Sequence, residues 1–201
     1  MGRIAFWCAL IGLGLLLAAT IVGGAVYPGY DHLREYISEL GATGTVTGEA
    51  VSVVFIVSGL LMAAFWGLCI IILPRSGLAV TGFVFSILNG FGLLFGGVFR
   101  CDFECLSESA SASQTLHEAL GGFGYLFGVL GVFLVGIAAR KWPGAGRLFP
   151  LSLICGVPAV AALTFIGPEF EFYGAAQRVL ELSIAVWTIA VALTVHRWPR
   201  T

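Results

Sequence analysis

The residues that could bind a ligand or carry out a reaction fall into three short stretches of this chain. The stretches are residues 27–40, 99–118 and 177–181. Histidines combined with carboxylates can bind a zinc-type cation or act as general acids and bases. A guanidinium group suits the oxygens of an anionic headgroup. The polar candidates are His32, Glu35, Ser38, Glu39, Asp102, His117, Gln177, Arg178 and Glu181.

We interpret these residues as a site that binds or processes a lipid headgroup. In a catalytic version, His117 is the base or a metal ligand, and Asp102 or Glu39 orients it. Ser38 is the candidate nucleophile, and Arg178 holds the phosphate of the headgroup. The remaining candidates for headgroup binding are Gln177, Glu181, His32 and Glu35. Neither G-x-S-x-G nor H-E-x-x-H occurs in the chain, so the sequence leaves open whether the protein is an enzyme.

A divalent metal such as zinc is the cofactor that these side chains could hold. The candidate ligands are His117, Asp102 and His32. Cys101 and Cys105 lie in the same stretch, and outside the cytoplasm two nearby cysteines more often pair than remain free. We therefore expect a disulfide between them, with metal ligation and free thiols as the alternatives.

The elements that must position these residues are membrane-spanning helices. Only 10% of the 201 residues are charged and 59% are hydrophobic, whereas soluble domains carry about 25% charged residues. The apolar residues form six blocks, each about as long as the ~20 residues that cross a bilayer. The sequence predicts a single-domain, all-α bundle of six transmembrane helices. The blocks are 4–27, 50–73, 78–99, 116–139, 149–166 and 179–195.

The distribution of charge predicts the orientation of this bundle. With the N-terminus in the cytoplasm, seven of the ten basic residues fall inside and all eleven acidic residues fall outside or at the outer helix ends. The positive-inside rule therefore favours cytoplasmic N and C termini. We expect a multi-pass protein of the inner cell membrane, with the polar candidates at its outer rim.

Local patterns predict how two of the polar stretches fold. Leu33, Tyr36, Ile37 and Leu40 follow helical spacing, so residues 31–40 should form a short amphipathic helix at the outer interface. A capping-box pattern at Thr115–Glu118 predicts the start of the fourth helix. Because the second, fourth and sixth helices all begin at the outer rim, the candidates share one membrane depth. Whether they meet stays open.

Three motifs resemble the bacterial and archaeal membrane proteins called domain-of-unknown-function family 998. They are the YxxxxxxISELGA run at residues 30–42, the FRCDxxC…H run at 99–117, and the Gln177–Arg178 pair. The family is itself distantly similar to the Frag1/DRAM/Sfk1 group. The resemblance implies a six-helix topology, and the F-x-C-D motif with its following histidine maps onto Phe99, Cys101, Asp102 and His117. It implies no particular activity.

Two other functions fit the sequence. The chain could be a non-catalytic subunit or scaffold that assembles with a partner protein or with itself through its acidic outer face and its small-residue helices. The small-residue pairs Gly92/Gly96 and Gly124/Gly128 are interpreted as helix packing, with a tunnel for a lipid tail as the alternative. A channel or carrier is disfavoured because no charged residue lies near the midpoint of a predicted helix. The expected partners include membrane lipids but not nucleic acid, because the few basic residues are explained by topology.

Overall fold

The computed structural model describes residues 1–105 and 109–199, and these form helices joined by short loops, with no strand among them. Two short 3₁₀-helices, Ile37–Gly41 and Phe103–Cys105, lie in the loops after the first and the third α-helix. Five of the predicted apolar blocks match their helices closely, and the sixth helix begins six residues before the predicted position 179. The α-helices are α1 Gly2–Val26, α2 Gly48–Ile72, α3 Gly77–Val98, α4 Ala112–Ala139, α5 Leu148–Leu163 and α6 Tyr173–Arg197.

Five of the six helices are long and apolar enough to cross a membrane, with mean hydropathies between 1.8 and 2.5. The chain is therefore a multi-pass membrane protein. The exception is α5, which has 16 residues and is about 24 Å long at the usual rise per residue. It contains Pro158, and its helical hydrogen bonding continues on both sides of that residue.

The helices form a closed ring. Each helix packs against its neighbours in sequence, and α1 packs against α6 to close the circle. Helix directions alternate, so α2, α4 and α6 all begin at the same end of the ring. Every acidic residue that the structure describes lies in the loops at that end or in the first three turns of a helix that begins there. We call it the acidic end.

Apart from Arg34, Arg100 and Arg178, the basic residues that the structure describes lie at the opposite end of the ring, which we call the basic end. Aromatic side chains pack the core towards it, where Phe83 stacks on Trp142 and Phe6 contacts His196. The charge separation expected from the sequence is thus a property of the folded ring. The basic residues at this end are Arg3, Arg75, Arg140, Lys141, Arg147 and Arg197.

Glycines bring α3 and α4 into backbone contact. A Cβ atom at Gly92 would lie 2.8 Å from the Cα of Gly124, so neither position accepts a larger residue without moving a helix. Asn89 Nδ2 donates a hydrogen bond of 3.1 Å to the Gly124 carbonyl at the same crossing. The small-residue spacing in these helices therefore serves helix packing within the chain.

The loop between α1 and α2, residues 27–47, folds into the mouth of the ring, and we call it the cap segment. The predicted amphipathic helix over 31–40 is wrong, because only the five residues Ile37–Gly41 are helical and they form a 3₁₀-helix. The backbone of the cap segment forms hydrogen bonds with α6 instead. The Ala175 N–H donates to the Leu33 carbonyl at 2.9 Å, and the Ile37 N–H donates to Gln177 Oε1 at 2.6 Å. Leu40 is fully buried, so the segment is not an interfacial helix.

The start of α4 also differs from the prediction. Its N-cap is Ser111, whose Oγ accepts a hydrogen bond of 3.1 Å from the Gln114 N–H. The capping box expected at Thr115–Glu118 is wrong, because these residues already lie inside the helix. His117 consequently lies in the second turn of α4, within reach of the ring interior.

Candidate functional site

Two cavities with a common wall lie at the acidic end. The inner cavity, of about 90 Å³, lies within the ring and has walls from α1, α2, α3, α4 and α6. The side cavity, of about 460 Å³, lies between α4 and the residues that join α5 to α6. Five residues line both cavities, and we call this set the junction. They are Ser38, His117, Gly121, Tyr125 and Gln177.

A chain of hydrogen bonds runs from the cap segment through the junction into α6. Gln177 Oε1 accepts from the Ile37 N–H at 2.6 Å, and Gln177 Nε2 donates to the Tyr125 hydroxyl at 2.9 Å. The Tyr125 hydroxyl in turn donates to Glu181 Oε1 at 2.8 Å. Each group thus has a defined donor or acceptor role, which orients the polar wall of the inner cavity.

Glu181 lies deeper than the sequence indicates. It is the ninth residue of α6, about 12 Å along the helix from its first residue, and it lines the inner cavity. Arg178 and Glu181 are three residues apart on α6, but they form no ion pair with each other. Arg178 bonds to the cap segment, and Tyr125 is the hydrogen-bond partner of the Glu181 carboxylate.

His117 is held in one orientation by the end of α3. Its Nδ1 lies 2.8 Å from the Phe99 carbonyl oxygen and 3.2 Å from that of Gly96. Carbonyl oxygens only accept, so Nδ1 must carry the hydrogen. The neutral ring therefore keeps Nε2 as its acceptor. The two backbone carbonyl groups therefore orient the imidazole ring, which is the role that was predicted for Asp102 or Glu39.

The disulfide expected between Cys101 and Cys105 is present. Cys105 lines the side cavity, and its Sγ is 3.5 Å from the Ser38 hydroxyl. A ring nitrogen of His117 and the two sulfurs lie within 4.8 Å of one another. Disulfide sulfurs are not thiolates, so this group could ligate zinc only after reduction.

Asp102 serves the start of α4 and lines neither cavity. Its Oδ2 accepts from the Ser111 N–H at 2.9 Å, and this hydrogen bond lowers the pKa of the carboxyl. The Asp102 N–H donates to Gln114 Oε1 at 2.8 Å. The structure therefore does not bring Asp102 to the ring of His117.

Glu39 lies inside the cap segment. Its carboxylate accepts from the Tyr36 N–H at 2.8 Å and closes a capping box around the first 3₁₀-helix. The side chain is 3% exposed, and burial raises its pKa to about 7. Glu39 lines neither cavity, so its contacts are those of a structural carboxyl group.

Arg178 fastens the cap segment to α6. Its Nη1 donates to the carbonyls of Glu35 and Gly174, both at 2.9 Å. Its Nη2 donates to the Tyr30 hydroxyl at 2.6 Å and lies 3.0 Å from His32 Nδ1. The predicted phosphate ligand, together with His32 and Glu35, thus forms a cluster outside both cavities. The proposed metal ligands His32 and His117 belong to separate clusters.

The other two arginines of the acidic end also bond to the protein. Arg34 pairs with Glu171 at 2.6 Å and with Asp31 at 3.2 Å. Arg100 donates to the carbonyls at positions 41 and 42, at 3.0 and 2.8 Å. Among the described residues that line the two cavities there is no arginine or lysine, and the charged ones are Glu118 and Glu181.

Gly121 and Tyr125 are the two junction residues that sequence reasoning missed, and Tyr125 is the polar one. It is a lone polar residue within an apolar stretch of α4, and such a residue gives little signal by itself. Its spacing was the available clue, because His117, Gly121 and Tyr125 recur every four residues along one helix face. Gln177 and Glu181 repeat this spacing on α6.

These features define a helical membrane protein with polar-lined cavities at one end of a closed ring. The chain matches the family DUF998, described as a protein of unknown function, over residues 10–194. It therefore belongs to this family, as its motifs indicated. No curated protein and no solved structure shows significant similarity to the chain.

Proposed function

We propose that the protein binds an amphiphilic molecule of the membrane, a lipid or a lipid-like compound, with its polar head at the junction. The observation that carries this proposal is that one set of polar residues lines both cavities. Ser38 offers a hydroxyl, His117 an acceptor nitrogen and Gln177 an oriented amide. Few polar groups within an otherwise apolar pocket are typical of small-molecule sites.

The apolar part of the ligand would lie in the side cavity. Its volume of about 460 Å³ falls within the range of roughly 300–1,000 Å³ for ligand pockets. Leu163, Ile166 and Pro168, at the end of α5 and beyond it, provide apolar wall there. The inner cavity, of about 90 Å³, accommodates only a small group. A ligand whose polar head is directed towards the inner cavity and whose apolar chain is directed towards the bilayer fits the volumes of the two cavities.

Binding is favoured over processing by the surroundings of the candidate catalytic residues. The ring of His117 is oriented by carbonyl oxygens rather than by a carboxylate. The Ser38 hydroxyl lies beside Cys105 Sγ. An activated serine needs a base within hydrogen-bonding reach and a group that orients that base, and neither Asp102 nor Glu39 lines the cavities.

The proposal includes a topology of six spans with both termini in the cytoplasm of the cell. Since α4 runs from the acidic end to the basic end and α6 begins at the acidic end, α5 has to return across the bilayer between them. The basic residues of the other end favour the cytoplasmic side. The cavities would then lie at the outer leaflet of the inner membrane.

Gly121 provides the sharpest test. It lines both cavities, and nothing lies within 4 Å of the position that a Cβ atom would take there, so Gly121→Leu fills the junction without a backbone clash. Gly67 has the same open surroundings but lines neither cavity, so Gly67→Leu is the matched control. Both variants and the unaltered protein would be purified in mild detergent and analysed by native mass spectrometry.

A co-purified lipid-sized mass in the unaltered protein and in Gly67→Leu, lost from Gly121→Leu, supports the proposal. Equal occupancy in all three proteins contradicts it. So does an unaltered protein that carries no lipid and binds no added amphiphile. A stoichiometric protein partner in place of a lipid would favour the scaffold function.

A further inference from the structure

The charged side chains that line the two cavities are acidic, and no arginine or lysine among the described residues lines either cavity. Glu181 contributes a carboxylate to the inner cavity and Glu118 contributes one to the side cavity. Glu118 accepts a hydrogen bond from Gln114, and Glu181 accepts one from Tyr125. Both partners are neutral, so the described residues that bond to these carboxylates supply hydrogen bonds and no positive charge.

The nearest arginine in sequence does not supply that charge. Arg178 is one turn before Glu181 on α6, but both of its terminal nitrogens bond to the cap segment and to the Gly174 carbonyl. A carboxylate at this depth in a membrane protein is costly to leave unpaired and usually marks a functional site. A cation bound in the cavity would supply the missing partner.

Aromatic side chains line the cavity that contains Glu181. Phe55 and Trp66 come from α2, and Tyr125 comes from α4. The faces of such rings attract ammonium groups, and quaternary ammonium ligands are commonly recognised in this way. A carboxylate together with aromatic rings in a small cavity thus favours a ligand whose head is an ammonium group.

We propose that the ligand is a cationic amphiphile whose head is an alkylammonium group, either a protonated amine or a quaternary ammonium. The head lies where the junction meets the inner cavity, pairs with Glu181 and contacts the rings of Tyr125 and Phe55. The alkyl chain leaves through the junction into the side cavity. This inference rests on the proposed function, because it assigns a ligand class to the same cavities.

The test compares two probes of equal shape and different charge. Dodecyltrimethylammonium carries the cation, and its carbon isostere, with a tert-butyl group in place of trimethylammonium, is neutral. Dodecyl phosphonate serves as the anionic probe. Affinities would be measured by native mass spectrometry for the unaltered protein, for Glu181→Gln and for Glu49→Gln, all in a non-ionic detergent.

Glu181→Gln keeps an acceptor for the Tyr125 hydroxyl and removes the charge. Glu49→Gln is the matched control, because Glu49 lies exposed in the first turn of α2 at the same end and lines neither cavity. Thermal melting of each variant would identify any loss of folding.

We expect the cation to bind the unaltered protein at least about tenfold more tightly than the isostere, as for a partly desolvated charge pair. Glu181→Gln should abolish that preference and Glu49→Gln should keep it. Equal binding of cation and isostere, or a preference unchanged in Glu181→Gln, overturns the ammonium assignment while amphiphile binding stands. Tighter binding of the phosphonate overturns it as well. If none of the probes binds the unaltered protein, both proposals fail.

Discussion

Tyr125 and Glu181 are joined by a hydrogen bond of 2.8 Å that crosses from α4 to α6. These helices lie on either side of α5 in the ring, so the bond joins two elements that are not neighbours in sequence. The same hydroxyl accepts from Gln177 at 2.9 Å. A single phenolic oxygen thus connects the carboxylate of the inner cavity to the amide that holds the cap segment.

Replacing Tyr125 with phenylalanine should destabilise the protein. The change leaves the Gln177 amide without its acceptor and Glu181 without its donor, at an expected cost of about 0.5–2 kcal/mol. Tyr27→Phe is the control, because no hydrogen bond of the Tyr27 hydroxyl to a described residue is present. Thermal unfolding in detergent measures both, and equal midpoints for the two variants would contradict the role of the Tyr125 hydroxyl.

Arg178→Ala should loosen the cap segment. The variant removes the hydrogen bonds to Glu35, Gly174 and Tyr30, for an expected loss of about 2–4 kcal/mol. Arg178→Lys should recover only part of this stability, because an ammonium group cannot reproduce the planar fork of the guanidinium. Hydrogen exchange over residues 27–47 reports the loosening directly. Unchanged exchange together with lost binding of an anionic lipid would instead support the phosphate-binding role expected from the sequence.

Glu39 should make stability depend on pH between about 4.5 and 7. Burial is the main cause that raises its pKa from 4.5 to about 7. The hydrogen bond from the Tyr36 N–H and the charge of Arg178 oppose this shift, and the charges of Glu35 and Glu104 add to it. Over this interval the folded state keeps a proton that the unfolded state has lost, so stability falls as pH rises. Glu39→Gln keeps the acceptor for the Tyr36 N–H and removes the titration.

The measurement for Glu39 is the difference in melting temperature between Glu39→Gln and the unaltered protein at pH 5 and at pH 8. The variant should gain relative stability as the pH increases. A difference that is constant across this interval, or that decreases, would show that Glu39 has an ordinary pKa in the folded protein.

The disulfide should protect both of its cysteines from thiol reagents. We expect Cys101 and Cys105 to react with a maleimide only after a reductant is added, as judged by peptide mass mapping of the labelled protein. Cys8, which is half-buried and unpaired, is an internal reference for reagent access. Immediate modification of Cys101 and Cys105 would mean that the thiols are free.

Two introduced cysteines test the proposed orientation. Thr43 and Lys141 are exposed, the first at the acidic end and the second at the basic end. In intact cells a membrane-impermeant maleimide should label Thr43→Cys at once and Lys141→Cys only after permeabilisation. The reverse pattern would place the acidic end in the cytoplasm.

The helices were predictable because long apolar blocks have few alternatives in a membrane. The start of α6 was not, since Tyr173–Arg178 contains polar residues that hydropathy assigns to a loop. The position of this boundary determines the predicted depth of Glu181 in the helix. With a helix beginning at residue 179 it is a rim residue, whereas in the longer helix it lies in the third turn and lines the inner cavity.

The cap segment and Tyr125 illustrate interactions that local sequence does not encode. The 31–40 pattern fits an amphipathic helix, but the backbone of Leu33 and Ile37 bonds to α6, which lies about 140 residues away along the chain. Tertiary contacts therefore replaced the local helix. The disulfide was predictable from the closeness of the two cysteines in sequence and from the predicted non-cytoplasmic location of their loop. The approach of Cys105 to Ser38 depends instead on how two loops meet.

The contact between α1 and α6 joins two helices that lie far apart in the sequence, so the ribosome produces α6 well after α1. Membrane proteins are inserted as they are made, so α1 to α5 enter the bilayer before the partner that completes the ring exists. The inner cavity takes Leu13 and Leu16 from α1, and Ile184 and Thr188 from α6. The cavity is therefore complete only after α6 has been synthesised. Until α6 is inserted, the cavity walls formed by the earlier helices face the surrounding lipid. A bilayer molecule can therefore occupy the site before the protein closes around it.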